Sequence, residues 1–219
     1  WAWYRWLPER YRIPFSITFA FVATHNHFVL DRGGKVFNRS APVIKLPADA
    51  TEDDHLALLG LLNSSVACFW MKQIFHNKGT TSDRGVLQAN PEKFRYEFDG
   101  TKLKKFPIPS MNEKNRSPLL SLARALTEVG QKLSSFSFQG FITHCLSAGL
   151  PLAESIHERI AERDQSRALM VRWQEELDWL CYEIYGLIES DAFDSRSMVH
   201  SCNPPEMPPL EADLRPYRL

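Results

Sequence analysis

The apolar runs in the first part of the chain, separated by short polar segments, are typical of β-strands. Residues 17–30 are rich in β-branched and aromatic side chains, and residues 35–46 resume an apolar pattern after the turn sequence Asp31-Arg32-Gly33-Gly34. We therefore predict a hairpin around Gly33-Gly34. Pro42 has no amide hydrogen to donate, so the second arm is expected to be an edge strand or to break there.

The pattern changes to a helical one after residue 50. Thr51 precedes an acidic first turn and is suited to cap a helix, with Asp54 three residues later. The segment Asn63-Ser64-Ser65 interrupts the apolar spacing, so we expect one helix or two shorter ones, with Asn63 or Ser64 capping the second. The apolar stripe at helical spacing consists of Leu58, Leu59, Leu62, Val66, Phe69 and Ile74.

Polar composition marks two further segments of the chain. Residues 77–92 are expected to form a loop, and residues 94–98 alternate as a strand does. Residues 110–118 are polar and flanked by prolines, so we predict a domain boundary there.

Helical spacing returns beyond this boundary. It predicts helices over residues 119–133 and roughly 152–188, with Gly186 as a stop signal, and leaves residues 134–149 undetermined. The predicted fold class is therefore α+β. We expect a β-rich domain with an inserted helix over 1–110, a mainly α-helical region over 111–190, and an extended tail rich in proline and acid over 191–219.

Length and charge add two expectations. The 219 residues suffice for one large domain or two small ones, and because the chain starts at Trp1 rather than methionine, we expect a piece of a longer polypeptide. The formal net charge is zero, but residues 1–110 carry 15 lysines and arginines against 10 acids, and residues 111–219 carry 11 against 16. A basic first half permits a phosphate-rich partner without requiring one.

The cysteines and the hydropathy pattern bear on the compartment. The four cysteines stand far apart without a C-x-x-C pair, which favours a reducing, cytoplasmic location. No apolar run approaches the roughly 20 residues that a membrane span requires, so we expect no membrane partner.

Catalytic motifs are missing from the sequence. No G-x-S-x-G elbow or phosphate-cradling glycine loop occurs, and Asn203-Pro204-Pro205-Glu206 has an acid where an adenine methyltransferase loop needs an aromatic ring. Three interpretations of His25-Asn26-His27 stay open: a metal pair, contacts to bases or sugar–phosphate, or hydrogen bonding at a strand end. We expect neither an active site nor a bound metal or cofactor in this chain.

Basic and aromatic residues are interleaved in the middle of the chain. Such a mixture suits nucleic acid, with cations on phosphates and polar groups on base edges, although a solvated surface over core aromatics has the same composition. The cations are Lys72, Lys78, Arg84, Lys93, Arg95, Lys102, Lys104 and Lys105, and the aromatic residues are Phe75, Phe94, Tyr96 and Phe98.

The order of four segments resembles a known family. HFVLDRGGKVFNRSAPVIKLP (27–47), LLGLLNSSVACFWMKQIFHNKG (58–79), YEFDGTKLKKFPIP (96–109) and ELDWLCYEIYGL (176–187) together resemble the target-recognition region of TaqI-type adenine-specific DNA methyltransferases. The resemblance is greatest to the large methyltransferases of BREX phage-exclusion systems and to related restriction–modification fusions.

This resemblance implies a specificity module that binds double-stranded DNA and reads a short site. It implies a parent protein in which an N-terminal catalytic methyltransferase domain transfers a methyl group from S-adenosylmethionine to adenine N6. The cofactor would belong to that domain. The DNA-contacting residues expected by analogy are Lys72, His76, Asn77, Lys78, Thr80, Thr81 and Arg84, followed by Thr24, His25, Asn26, Arg95 and Lys102.

A protein–protein interaction module is the competing class. Tryptophan and tyrosine are favoured anchors of protein interfaces, and the helical region carries Trp173, Trp179 and Tyr182. DNA binding should weaken steeply with salt, whereas an apolar interface should respond little.

Overall fold

A computed structural model describes residues 13–78, 94–134 and 138–188 of the chain. The chain divides into two units, Trp1–Arg116 and Ser117–Leu219. The first unit holds two small antiparallel sheets with helices, and the second is helical where it is described. The predicted α+β class is confirmed.

The first sheet forms around β1 (Ser16–Phe19), with β3 (Phe28–Asp31) on one side and β4 (Val43–Ile44) on the other. Alternate residues of paired strands point to one face, and here that face is apolar. Ile17 lies opposite Leu30 and Phe19 opposite Phe28, and all four are buried. Phe19 and Phe28 are in ring contact, with centroids 5.0 Å apart.

The hairpin predicted around Gly33-Gly34 is wrong in its pairing. β4 pairs with β1 rather than with β3, so the chain crosses to the far side of the sheet. The Pro42 carbonyl fixes this placement, because it accepts hydrogen bonds from the Phe19 amide and the Thr18 hydroxyl, both at 3.2 Å. The glycines do form a turn, with positive φ at both. β4 is an edge strand, as Pro42 predicted.

Two helices follow, as the alternative with a break at residues 63–65 predicted. Helix α1 (Glu52–Leu62) begins with a capping box between Thr51 and Asp54, and α2 (Ser65–Ile74) is capped by the Ser64 side chain. The Thr51 backbone amide, and then the Arg116 guanidinium, lower the pKa of Asp54 to about 2. Helix α1 is buried on most sides and packs on β1 and β3.

The predicted apolar stripe fails in α2. Phe69 is 69% exposed and Ile74 is 39% exposed, whereas Ala67 and Met71 are buried. The chain leaves the helical conformation at Ser64, so the second helix does not continue the rotation of side chains about the axis of the first. The spacing counted through the break therefore assigns the wrong face to the core.

The second sheet has the order β2 (Val22–Ala23), β6 (Arg95–Glu97), β5 (His76–Lys78). The strand predicted over 94–98 is confirmed. The loop predicted from residue 77 begins too early, since residues 76–78 pair with β6. Asn77 and Lys78 are polar, so their composition is that of a loop although they belong to β5.

Helix α3 (Gly100–Leu103) follows β6, and α4 (Glu113–Ser134) begins six residues before the predicted Leu119. The Asn112 carboxamide accepts a hydrogen bond from the Asn115 amide, which caps the new turn. Residues 113–118 of the expected polar boundary are thus helical, and Pro118 lies inside the helix.

The second unit contains the rest of α4, α5 (Phe138–Ala148) and α6 (Leu152–Ile184). The predicted stop at Gly186 is confirmed, because its φ is +67° and its amide donates to the Glu183 carbonyl. The next amide, of Leu187, donates to Tyr182, which completes a Schellman motif.

Two chain-wide expectations can be compared with the described residues. In those residues, no helix is both long enough and apolar enough to cross a membrane. Cys68, Cys145 and Cys181 are not in disulfide bonds, and the last two are buried.

Candidate nucleic-acid interface

The second sheet gathers several of the predicted contact residues on one face. Residues directly opposite each other in an antiparallel pair point to the same side. Lys78 lies opposite Arg95, His76 opposite Glu97, and Glu97 opposite Val22. His76, Lys78 and Arg95 are all exposed, so three predicted residues share a solvent-facing surface.

An aromatic ring and another cation border this surface. The Lys78 ammonium lies 5.5 Å from the centroid of the Phe21 ring, and the Arg39 guanidinium lies 5.8 Å from it. Phe21 is half-buried and directly precedes β2. We call His76, Lys78, Arg95, Arg39 and Phe21 together the basic face.

Glu97 is the acid on this surface. Its Oε2 lies 2.7 Å from the Lys78 ammonium, and the two side chains are 28% and 54% exposed. For an exposed pair such a bond contributes little stability. It does orient Lys78 across the sheet.

Sequence reasoning missed Arg39 and Phe21. Phe21 joins the two sheets, since its amide donates to the Ser40 carbonyl at 3.0 Å and its carbonyl accepts from the Phe98 amide at 2.8 Å. These long-range bonds bring Arg39 to the Phe21 ring that Lys78 also contacts. The spacing of nearby residues does not predict this position of Arg39. The sequence signal for it was an arginine that follows the Gly33-Gly34 turn.

Asn77 points away from the basic face. It lies opposite Tyr96, on the side of the sheet where Phe75 and Phe98 are buried with ring centroids 5.1 Å apart. Its Oδ1 is buried and has no hydrogen-bond partner among the described residues. Asn77 therefore lies on the opposite face of the sheet from His76 and Lys78, although the three residues were predicted to contact DNA together.

A second polar cluster lies in residues 24–27, which we call the histidine loop. The Thr24 hydroxyl and His25 Nδ1 are 2.7 Å apart, and the rings of His25 and His27 have centroids 4.1 Å apart. Burial lowers the pKa of His25, and the charges of His27 and Lys72 lower it further. Lys72 is thus close to the histidine loop, and the His25 ring is held toward its neutral form.

Asn26 and Lys102 are held by backbone carbonyls. Asn26 Nδ2 donates to Leu62 at 2.7 Å and to Ser64 at 3.2 Å, at the junction of α1 and α2. The Lys102 ammonium donates to the Ile74 carbonyl at 3.1 Å, at the end of α2. Of the three interpretations of residues 25–27, hydrogen bonding at a strand end describes Asn26.

Thr80, Thr81, Arg84 and the Asn203–Glu206 segment lie outside the described residues. Within 13–78, 94–134 and 138–188, no three histidine, cysteine or acidic side chains are grouped closely enough to hold a metal ion.

The aromatic residues expected at a protein interface lie on α6. Trp173, Trp179 and Tyr182 are all half-buried. Trp179 and Tyr182 contact each other edge to face, with centroids 5.4 Å apart. Their rings therefore contribute to packing within the second unit as well as to its surface.

A cationic sheet face beside a half-exposed aromatic ring is the kind of surface that binds phosphate-rich polymers. The chain is similar to the adenine-specific methyltransferase PglX of Streptomyces coelicolor, with 40% identity over 194 residues. The match covers 87% of this chain and only 15% of that protein. No family model matches the chain, and no solved structure matches it significantly.

Proposed function

We propose that this chain is a DNA-contacting, sequence-reading part of a larger adenine-specific DNA methyltransferase. Similarity to PglX over 87% of the chain is the observation that carries the proposal. Because the match spans only 15% of PglX, the methyl transfer itself is assigned to other parts of such a protein. Double-stranded DNA and a catalytic methyltransferase domain of the same parent are the proposed partners.

The basic face supports a role in DNA binding. Lys78, Arg95 and Arg39 offer cations for phosphates, and His76 offers a ring that can donate or accept a hydrogen bond. The Lys78–Arg95 pair of β5 and β6 lies beyond the pairing of β2 with β6, and a two-stranded antiparallel ribbon fits the dimensions of the major groove.

The histidine loop supports the same role from a neighbouring element. Thr24 and His25 are polar groups in a loop that the Asn26 side chain ties to the Leu62 and Ser64 carbonyls, and Lys72 adds a cation near His25. A preorganised polar loop loses little conformational entropy when it binds. Asn26 and Lys102 are proposed to position these elements rather than to contact DNA.

The proposed parent would use S-adenosylmethionine to methylate adenine N6, as enzymes of the TaqI type and of BREX or restriction–modification systems do. We assign no cofactor site to this chain. Its part in the reaction is to bind a duplex site so that a catalytic domain reaches one adenine.

Salt dependence tests the proposal directly. The affinity of the 219-residue chain for a pool of short duplexes is measured by fluorescence anisotropy at several salt concentrations. Four phosphate contacts, from Lys72, Lys78, Arg95 and Arg39, give an expected slope of about −3.6 in log K against log salt. That slope means about 100-fold weaker binding at about 200 mM salt than at about 50 mM.

Charge variants locate the interface. Lys78→Gln with Arg95→Gln should lower the affinity and reduce the magnitude of the slope by about 2. The control, Arg163→Gln with Arg167→Gln, removes equal charge from exposed positions on α6 and should leave the slope unchanged. Equal losses in both double variants would reduce the effect to net charge. No binding at low salt would sink the proposal and favour the protein-interaction class.

A further inference from the structure

Glu97 has an unusual position for an acid in a DNA-binding surface. It lies on β6, the central strand of the second sheet, between Val22 on β2 and His76 on β5. Its neighbours on the same face are the cations Lys78 and Arg95. A carboxylate at the centre of a surface that approaches phosphates repels them.

Glu97 keeps hydrogen-bonding capacity beside its salt bridge. Oε2 lies 2.7 Å from the Lys78 ammonium, and the Glu97 side chain is 28% exposed. A carboxylate can accept several hydrogen bonds, so one ion pair does not exhaust it. The salt bridge thus holds the side chain on the solvent side of the sheet and leaves an acceptor available.

DNA offers few donors to such an acceptor. In the major groove the donors are the exocyclic amines, N4 of cytosine and N6 of adenine, while guanine and thymine present acceptors there. A carboxylate that enters this groove is therefore attracted to two bases and repelled by the other two. Phosphates have no hydrogen to donate to the Glu97 carboxylate, so this side chain would contribute selectivity between bases rather than affinity for DNA.

We propose that Glu97 is a specificity-determining residue, which accepts a hydrogen bond from the exocyclic amine of one cytosine or adenine in the major groove while Lys78 holds it in position. This inference rests on the proposed function and deepens it. It assigns the second sheet to base reading at one position, in addition to phosphate contacts.

The test is selection from a random duplex pool with the wild-type chain, Glu97→Ala and a control, Glu113→Ala. Glu113 is an exposed acid in the first turn of α4, so the control makes the same chemical change in the same unit. The wild type and the control should enrich one site with an adenine or cytosine at a fixed position. In Glu97→Ala, which has no acceptor on its side chain, that preference should fall on the order of 10-fold, with the other positions unchanged.

Base analogues that lack the exocyclic amine test whether Glu97 contacts that group. Purine in place of that adenine, or 2-pyrimidinone in place of that cytosine, lacks the exocyclic amine. This replacement should weaken binding by the wild type on the order of 10-fold and have little further effect on Glu97→Ala. Thermal unfolding checks that the variant is folded, and Glu97→Met serves as the second variant without an acceptor.

The outcomes separate the two proposals. If Glu97→Ala binds every duplex more tightly and keeps the wild-type preference, Glu97 only neutralises Lys78 and the assignment is wrong, while the recognition function stands. If the wild type enriches no sequence, the recognition function fails and the assignment falls with it.

Discussion

Replacing Asn63 by alanine should loosen the attachment of strand β3 to the helices. The Asn63 side chain accepts a hydrogen bond from the Phe28 amide and donates one to the Phe28 carbonyl, both at 2.9 Å. Phe28 is 4% exposed, so water does not readily replace either bond. The adjacent Asn26 makes the reciprocal contacts to the carbonyls at the end of α1.

The magnitude follows from these two bonds. Each contributes roughly 1 kcal/mol net, and a buried amide left without a partner adds roughly 1–3 kcal/mol. We therefore expect a local loss of about 2–4 kcal/mol at β3. Since 1.4 kcal/mol corresponds to a factor of about ten, the Phe28 amide should exchange at least about 30-fold faster with solvent deuterium.

Hydrogen exchange is the suitable assay because the chain has two units, whose unfolding need not be a single transition. The control is Asn38→Ala, which removes the hydrogen bond that the exposed Ser40 amide donates to Asn38 Oδ1 at 2.9 Å. It should leave exchange in β3 unchanged. Exchange at Phe28 that rises less than about three-fold in Asn63→Ala would refute the reasoning.

Two further predictions concern a carboxyl and a glycine. The pKa of Asp54 is lowered from its usual 3.8 to about 2, mainly because the Thr51 amide donates a hydrogen bond to the ionised carboxylate. The contribution of Asp54 to the stability of the fold should therefore be complete above about pH 4 and should disappear as the pH falls toward 2. Melting temperatures of the wild type and Asp54→Asn should accordingly differ at pH 6 and converge at about pH 2, and a constant difference would contradict this. Gly33→Ala should destabilise the first sheet by about 1 kcal/mol or more in urea unfolding, because φ is +102° and the new Cβ would lie 3.1 Å from the Pro14 carbonyl oxygen. Gly34→Ala, with φ +81° and open space around its Cβ, should be milder, and equal losses would exclude the contact as the cause.

Local signals in the sequence predicted local structure. Thr51 with Asp54 and Ser64 act as the caps that their spacing indicated, and Gly186 ends the last helix. These features depend on hydrogen bonds within a few residues of chain. They can therefore be predicted without knowledge of the tertiary fold.

Long-range pairing was not predictable in the same way. The pairing of β4 with β1 includes a hydrogen bond from the Phe19 amide to the Pro42 carbonyl, and these two residues are 23 positions apart in the sequence. The position of Arg39 in the basic face depends on the pairing of Ser40 with Phe21. Composition indicated that cations gather in residues 72–105, but only the register of the second sheet divides Lys78 from Asn77.

The register of β5 and β6 has a consequence for the chain between them. Lys78 and Arg95 are paired, so these two residues lie about 5 Å apart whatever sequence joins them. Doubling the length of a flexible connection adds only about 0.6 kcal/mol of closure entropy. A connection of another length or composition between Lys78 and Arg95 should therefore leave the geometry of the sheet unchanged.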